Sequence, residues 1–342
     1  MNRLSGFGSA ERVRANAASA QVEIIPLVSD RLEQVELRFR ENLESPIAIV
    51  GEIGEFVAQG GGKRIRPALH LLCAQLCDYD GPHDVLLGTV VEFIHCATLI
   101  HDDIIDEAKT RRGRSSVNFN WGNDISVLFG DYMFAKAMEM ALQAGSLRVM
   151  QQLAEVTLRM TEGEMLQTRY LGRVDLTVEE YVDLIEKKTA SLFACCCELG
   201  GLLAGVDEKR ELALRRYGIH LGLLFQLVDD LLDLTSDSET LGKPTACDLR
   251  EGKATLAVLD LLATGSKQAK ELVDRAMVAE SADGPEIADL TDLLHDSGAI
   301  GRAHDRARFH AARARAELDI FADSPARRAL QSLPEVLLLR DR

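Results

Sequence analysis

Aromatic residues, prolines and basic residues are all scarce in this 342-residue chain. Aromatics make up 5% of the sequence, with one tryptophan, and there are only 8 prolines. The 39 lysines and arginines are outnumbered by 54 aspartates and glutamates, which gives a formal net charge of −15. Because a nucleic-acid binder needs a basic surface, this balance argues against that function. The hydrophobic content of 46% is that of a globular protein.

The seven cysteines form no pattern typical of a metal site or a disulfide framework. Residues 195–197 are consecutive cysteines in an apolar stretch, and Cys73 and Cys77 lie one helical turn apart without a second pair at zinc spacing. We therefore expect buried, reduced thiols and a cytoplasmic location. The N-terminus lacks the apolar core of a signal peptide. The longest apolar stretch, residues 189–206, contains a glutamate and two adjacent glycines, which predicts a buried helix and no transmembrane segment.

Apolar residues recur at three- and four-residue spacing almost throughout, which predicts helices, and no segment alternates convincingly as a strand. No long linker or solenoid-type repeat divides the chain. We expect an all-α fold with a flexible tail at residues 1–20 and one large helical-bundle domain at 21–342. The expected helices are 21–43, 47–59, 66–77, 84–107, 124–144, 147–171, 178–205, 208–236, 251–264, 268–279, 286–297, 299–321 and 325–338.

Two long apolar helices end in clusters of aspartates. Residues 102–106 and residues 229–233 both have the pattern Asp-Asp-x-x-Asp. Helix positions four apart are separated by about 40°, so each cluster forms one acidic face. Buried carboxylates need a compensating cation, and oxygen-only ligands suit Mg²⁺, which is usually shared with substrate phosphates. Two copies of the pattern favour such a site over two solvated helix ends.

Basic residues accompany both acidic clusters. The glycines at 60–62 lead into Lys63 and Arg66 at the start of a helix, where backbone N–H groups can bind an anion. This turn is not a nucleotide-binding P-loop, because Arg64 stands where Ser or Thr is required. Together the basic residues suggest sites for two diphosphates: Lys63, Arg66, Arg111, Arg112, Lys188, Lys243 and Lys253.

Other enzyme classes are less well supported. Glu92 and His95 match half of a di-iron bundle motif, but that site needs two copies and the chain has one. No nucleophile elbow or dinucleotide-binding glycine pattern appears in a strand–helix context.

At these residues the sequence resembles the trans-isoprenyl (polyprenyl) diphosphate synthases, specifically the long-chain bacterial type. The resemblance covers most of residues 50–342. It rests on motifs that occur in one order: GGGKRIRP at 60–67, EFIHCATLIHDDIIDEAKTRRG at 92–113, GD at 130–131, EGEMLQ at 162–167, KTASLF at 188–193, FQLVDDLLD at 225–233, GKPTACDLREGKAT at 242–255 and SPARRALQSL at 324–333.

The resemblance implies an all-α homodimer with a central cavity. It also implies Mg²⁺-dependent head-to-tail condensation of isopentenyl diphosphate with an allylic diphosphate such as farnesyl or geranylgeranyl diphosphate. Three Mg²⁺ ions would be bound. By the same resemblance, the direct metal ligands are Asp102, Asp106 and Asp229, and the residues that complete the clusters, partly through water, are Asp103, Asp230 and Asp233.

The resemblance also assigns the substrate-binding residues. The isopentenyl diphosphate site would comprise Lys63, Arg66, His95 and Arg112. The allylic diphosphate site would comprise Arg111, Lys188 and Lys253, with Thr189, Gln226 and Lys243 nearby. The expected catalytic residues are Asp102, Asp103, Asp106, Lys188, Thr189, Gln226 and Asp229.

One short segment departs from the family pattern. Family members usually carry Gly and Asp where this chain has Ala246 and Cys247, whereas the following Asp248 is retained. We expect an active enzyme in which the geometry or metal affinity of this loop differs.

Small residues before the first acidic cluster predict a long product. In this family, bulky residues one turn before the cluster shorten the product, and here those positions are Ala97 and Thr98. The helix from Val85 to Asp102 offers about 25 Å of wall, with a floor expected at Met133, Phe134 or Met138. We therefore predict a C30 to C50 product that is delivered to a membrane for quinone side chains or carrier lipids.

Three alternatives remain open. A short-chain C15 to C20 synthase would share every motif except the small residues near Thr98. A class I terpene cyclase shares one aspartate cluster but lacks a second diphosphate site. A non-catalytic partner subunit of a heteromeric synthase would tend to lose its aspartates, and only Ala246 and Cys247 favour that alternative.

Overall fold

The structure is a computed structural model that describes residues 26–111, 113–235, 246–278 and 284–339. Within these ranges every regular element is helical apart from one short hairpin, so the prediction of an all-α fold is confirmed. The proposed tail at residues 1–20 lies outside the described residues.

The helices follow the predicted periodicity closely. The elements before the π-helical turn are α1 (26–43), α2 (Ala48–Gln59), α3 (Ile65–Leu76), α4 (His83–Ile105), β1 (Thr110–Arg111), β2 (Arg114–Ser115), α5 (Val117–Trp121), α6 (Asn123–Leu142), α7 (Leu147–Tyr170) and α8 (Val178–Ile185). The π-helical turn Glu186–Ala190 and the elements after it are α9 (Ser191–Ala204), α10 (Glu208–Thr235), α11 (Cys247–Arg250), α12 (Leu256–Leu262), α13 (Lys267–Met277), α14 (Pro285–Asp296), α15 (Ala299–Glu317), a 3₁₀ turn (Leu318–Ile320) and α16 (Pro325–Leu338).

Several secondary-structure predictions were wrong in detail, and the short helices α5 and α11 lie outside every expected helix. The hairpin β1–β2 was missed because strands of two residues are too short to alternate, and its turn uses Gly113 at φ 74°. The expected helix at 251–264 begins only at Leu256, because Gly252 takes φ 79° in the turn that follows α11, a short helix that was not predicted. The expected helix at 178–205 contains the π-helical turn, an insertion that apolar spacing does not reveal.

The core brings α9 and α10 unusually close to each other. A Cβ added to Gly218 or Gly222 of α10 would lie 2.5 Å from the Cα of Ala194 or Ala190, respectively. Only glycine permits this approach, because real Cβ contacts are never so short. The same helix also packs against α15, and α4 packs against α3 and α6. The close contact between α9 and α10 holds the π-helical turn beside the acidic end of α10.

One described helix, His83–Ile105, is long and apolar enough to cross a membrane. Within its most apolar window, however, 72% of the residues are buried inside the protein, as expected of a core helix. None of the seven cysteines, all of which lie in the described ranges, forms a disulfide. Cys73 and the cysteines at 195–197 are buried as predicted, whereas Cys77, Cys96 and Cys247 are half-buried.

A buried carboxylate, Glu198, links α9 to α7. Its side chain accepts a 2.5 Å hydrogen bond from Nε2 of Gln152, and the residue is 5% exposed. Burial raises the pKa of Glu198 to about 7, with Glu211 and Glu155 adding to the increase and Arg215 opposing it. A carboxyl group whose pKa is higher in the folded than in the unfolded state destabilises the fold as pH rises between the two values.

Replacing Glu198 with glutamine should therefore stabilise the protein at pH 8 by about 2 kcal/mol and leave it nearly unchanged near pH 4. The amide oxygen of the glutamine can still accept the hydrogen bond from Gln152. Urea unfolding at both pH values measures the difference. Glu155→Gln, at a half-exposed position in the same network, is the control, and an equal effect of both variants would contradict the assignment.

Candidate active site

The first acidic cluster lies at the C-terminal end of α4, and its three aspartates have different surroundings. Asp103 is 3% exposed and accepts a 2.6 Å bond from Nε of Arg111 in β1. Asp106 caps the helix, and its Oδ1 lies 3.3 Å from Nζ of Lys253. Asp102 is half-buried and faces the charged groups described below. One carboxylate of the cluster, that of Asp103, is therefore paired with Arg111, and the other two face the cleft.

The second cluster, on α10, organises the segment that follows the helix. The Oδ2 of Asp233 accepts a 3.0 Å bond from the backbone N–H of Asp248, and its carbonyl accepts a 2.8 Å bond from that of Ala246. Asp230 accepts a 2.8 Å bond from Nε2 of Gln226 and a short bond from the hydroxyl of Tyr181. Asp229 is half-buried.

Two lysines bring the clusters into one cleft. Lys253, which bonds Asp106 of the first cluster, lines a cavity of about 160 Å³ together with Lys188 and with Asp230 of the second cluster. The bond from Lys253 to Asp106 joins positions 147 apart and so connects the first cluster to this cavity. Its remaining polar lining comes from Gln167, Tyr170, Tyr181, Thr189, Gln226, Asp248 and Thr255.

Two carboxylates in this cleft have raised pKa values because the nearby positive charge does not offset their burial. Burial raises the pKa of Asp102 to about 6; Lys188 opposes the shift, and the carboxylates of Glu164 and Asp106 add to it. Burial also raises the pKa of Asp230 to about 6, against the hydrogen bonds that this carboxylate accepts. A cation is the natural compensation for such groups, and an oxygen-only donor set fits a hard divalent ion such as Mg²⁺.

Within the residues that the structure describes, no three His, Cys, Asp or Glu side chains already form a closed metal cage. Such a cage is not what Mg²⁺ requires, because this ion is commonly held by one or two carboxylates together with substrate phosphates. The donor set therefore fits Mg²⁺ shared with a diphosphate.

The π-helical turn presents Lys188 and Thr189 to the cleft. The turn packs against α7 at Gly163, where an added Cβ would lie 2.6 Å from the backbone N of Lys188. Nζ of Lys188 forms a 2.6 Å ion pair with Glu164, and Oγ1 of Thr189 donates a 2.8 Å bond to Oε1 of Gln226. π-Helical insertions are frequent at functional sites because they redirect side chains within a helix.

A second basic cavity lies at the start of α3. Nη1 of Arg66 donates a 3.0 Å bond to Nε2 of His95, and the guanidinium of Arg66 lies 4.9 Å from the ring centroid of Phe193. Arg66, His95 and the exposed Lys63 line a cavity of about 470 Å³ that Phe225 also borders. The structure thus places three of the four residues expected to bind isopentenyl diphosphate around one cavity.

Arg64 also lines this cavity, although no functional role was predicted for it from the sequence. Its backbone is left-handed, at φ 47°, and its guanidinium forms ion pairs of 2.5 Å with Glu92 and 2.8 Å with Glu36. The glutamate in the otherwise apolar segment before His95 was the one signal of this arrangement. Tyr181 and Glu164 were also missed, because their partners are distant in sequence.

The remaining predicted site residues are placed as follows. Arg111 pairs with Asp103, so its guanidinium is already engaged within the first cluster. Ala97 is fully buried, whereas Thr98 is half-buried and its hydroxyl bonds the carbonyl of His95. Two predicted phosphate ligands lie outside the described residues: Arg112 and Lys243.

Ala246 has a backbone conformation that glycine adopts at lower cost than alanine. Ala246 has φ 51° and ψ 37°, a left-handed conformation that costs an L-residue about 1–2 kcal/mol. Ala246 is also 2% exposed, so Ala246→Gly relieves the strain but loses a buried methyl group. After this loss and the entropic cost of glycine are subtracted, the variant should be more stable by at most about 0.5 kcal/mol. Urea unfolding would measure this gain. Ala312→Gly, at an exposed helical position, should have the opposite sign, and destabilisation by both variants would contradict the strain.

The all-α fold and the cleft with two aspartate clusters define a class of enzymes that act on diphosphates. The chain belongs to the polyprenyl synthetase family: the model of the family described as "Polyprenyl synthetase" matches residues 47–294. It is therefore a prenyltransferase, as the sequence motifs predicted.

Individual relatives are similar over most of their length. An octaprenyl diphosphate synthase from Escherichia coli K12 is 36% identical over 321 residues, which cover 94% of this chain and 99% of the relative. Component 2 of a heptaprenyl diphosphate synthase from Geobacillus stearothermophilus is 36% identical, over 81% of this chain and 85% of the relative. A crystal structure of a Caulobacter crescentus polyprenyl synthase complexed with calcium and isoprenyl diphosphate has a TM-score of 0.87 and 36% identity, covering 94% of this chain and 98% of that one.

Proposed function

We propose that the protein is a Mg²⁺-dependent long-chain synthase that adds isopentenyl diphosphate head-to-tail to farnesyl or geranylgeranyl diphosphate and releases an all-trans C30 to C50 polyprenyl diphosphate. The observation that carries this proposal is the convergence of both aspartate clusters with Lys188 and Lys253 on one cleft, next to the cavity of Arg66 and His95. The octaprenyl relative supports the product class, and the calcium-bound structure supports a divalent ion.

The proposed substrate contacts follow from the two cavities. Lys63, Arg66 and His95 would bind the diphosphate of isopentenyl diphosphate, and Lys188 and Lys253 that of the allylic substrate. Arg112 and Lys243 would join these two sets by resemblance. Ion pairs with Glu164 and Asp106 hold the two lysines in place until a phosphate replaces the carboxylates.

The proposed Mg²⁺ ligands are Asp102, Asp106 and Asp229, with Asp103, Asp230 and Asp233 in supporting positions. Mg²⁺ bound there supplies positive charge for the departing pyrophosphate. The side chains of the protein orient the substrates. Lys188 and Lys253 would hold the allylic diphosphate while the bond from its oxygen to allylic C1 breaks. The double bond of isopentenyl diphosphate then attacks C1, and pyrophosphate takes the proton that is lost.

The allylic carbocation needs nearby oxygens and little water. Thr189 and Gln226 would supply hydroxyl and amide oxygens, and the backbone carbonyl of Lys188 a third. The close packing of α9 on α10 keeps water away from this wall, since the glycines leave no space between the helices. Preorganised dipoles of this kind stabilise developing positive charge without reorganisation.

We propose a homodimer, located in the cytoplasm. An apolar stripe on α6 supports the assembly: Leu128 and Leu142 are each 64% exposed, and the exposed Ala135 lies between them. Light scattering on the purified chain would give twice the monomer mass, and replacing both leucines with aspartate should halve it. A monomer that becomes active only after addition of a second, different chain would favour the heteromeric assembly suggested by the relative named component 2.

The function is tested with purified protein, Mg²⁺, farnesyl diphosphate and labelled isopentenyl diphosphate, followed by dephosphorylation and sizing of the prenyl alcohols. A ladder that ends between C30 and C50 is expected. A product that stops at C15 or C20 would keep the enzyme class and contradict the predicted length. Absence of any elongation, with EDTA-treated protein as the blank, would contradict the catalytic assignment.

A further inference from the structure

Four side chains from three elements form one hydrogen-bonded chain beside the cleft. The hydroxyl of Tyr181 in α8 donates to Oδ2 of Asp230, and Nε2 of Gln226 donates to Oδ1 of the same carboxylate at 2.8 Å. Oγ1 of Thr189 then donates to Oε1 of Gln226, also at 2.8 Å. All four residues line the cavity shared by Lys188 and Lys253.

The chemistry of the donors gives this chain of bonds a single direction. An ionised carboxylate can only accept, so Asp230 requires the N–H₂ side of the Gln226 amide and leaves the amide oxygen facing away. That oxygen can only accept, so the hydroxyl proton of Thr189 must point to it. The lone pairs of the Thr189 oxygen are consequently the part of the hydroxyl left to face the cavity.

Tyr181 is the fixed end of this chain. It is 3% exposed and belongs to α8, which is anchored at its start by a capping box between Thr177 and Glu180.

We propose that Tyr181 is a positioning residue that acts through Asp230 and Gln226 to hold the Thr189 oxygen with its lone pairs towards the allylic carbon. The inference deepens the proposed function and rests on it. Without the tyrosine hydroxyl, Asp230 loses one of two donors, its carboxylate can rotate, and the Gln226 amide and the Thr189 hydroxyl gain alternative orientations. The ionisation of the allylic diphosphate then loses preorganised stabilisation.

The test compares Tyr181→Phe with Tyr217→Phe. Tyr217 is an equally buried tyrosine, but its hydroxyl donates to the backbone carbonyl of Leu330 at 2.7 Å, outside the cleft. Both variants lose one buried hydrogen bond, so a similar drop in Tm is expected. Only Tyr181→Phe should lower kcat, by about 10-fold, while the KM for isopentenyl diphosphate and the Mg²⁺ concentration for half-maximal rate stay unchanged.

A double-mutant cycle with Thr189→Val shows whether the effect passes through Thr189. If it does, adding Tyr181→Phe to the Thr189→Val enzyme should change kcat less than 2-fold, because the group to be positioned is absent. Independent 10-fold losses would overturn the proposal, as would a Tyr181→Phe enzyme that resembles Tyr217→Phe.

A binding readout separates this role from one in the metal site. The increase in Tm caused by Mg²⁺ with inorganic pyrophosphate should be equal in wild type, Tyr181→Phe and Tyr217→Phe. A smaller increase in Tyr181→Phe alone would overturn the proposal in favour of a metal-site role. Wild-type turnover in the same assay reports on the proposed function, whereas the ratios between variants report on Tyr181.

Discussion

Asp102→Asn is expected to lower kcat at least about 1000-fold and to leave the fold intact. Asp102 is half-buried in the cleft, where burial and the carboxylates of Glu164 and Asp106 raise its pKa to about 6. Neutral asparagine relieves this repulsion, so stability should stay equal or rise slightly. Asparagine nevertheless removes the charge with which the residue would bind Mg²⁺, and metal-ion stabilisation is worth several kcal/mol, with each 1.36 kcal/mol giving a factor of ten.

Asp103→Asn is the matched control because it makes the same chemical change at the adjacent position. Asp103 is buried against Arg111, so this variant should lose about 2 kcal/mol of stability through the broken ion pair. Single-turnover rates, urea unfolding and Mg²⁺-dependent calorimetry with pyrophosphate would be measured for both. The prediction is that Asp102 binds Mg²⁺ and that Asp103 mainly holds Arg111. Equal loss of metal binding in the two variants would contradict it, as would a stable Asp103→Asn protein with the larger rate defect.

Both acidic helices could be predicted from the sequence because each contains its own signal. A buried helix that ends in charged residues contradicts the ordinary distribution of polar groups, and the contradiction is visible within about twenty residues. The helix boundaries near Asp102 and Asp229 agree with the structure for the same reason. The resemblance to a family then supplied what local patterns do not contain, namely that the two helices share one site.

The contacts that refine the site could not be predicted in this way. The hydrogen bond from Tyr181 to Asp230 joins positions 49 apart, and the ion pair between Arg64 and Glu92 depends on how α3 packs on α4. In the sequence, Tyr181 is one more large residue on an amphipathic helix. The strain at Ala246 is also a tertiary effect, since Asp233 holds the loop through its backbone carbonyl and its carboxylate.

The position of Thr98 makes it a sharper test of product length than Ala97. Helix geometry places Thr98 about 40° from Asp102, on the face of α4 that meets the cleft, and places Ala97 about 140° away. Thr98 is half-buried, whereas Ala97 is fully buried. A phenylalanine at position 98 would therefore project along the path of the growing chain, while one at position 97 would first displace packed core atoms.

Thr98→Phe is expected to shorten the product from the C30 to C50 range to about C20. The phenylalanine ring would block the growing prenyl chain about one helical turn along α4 from Asp102. The rate of the first condensation should change little, since the diphosphate contacts remain. Ala97→Phe should also shorten the product but lower stability by about 1–3 kcal/mol through overpacking. Sizing of prenyl alcohols and urea unfolding would be measured together. Unchanged product length in a folded, active Thr98→Phe enzyme would show that the chain grows along a different wall, and unchanged length in both variants would contradict the cavity along α4.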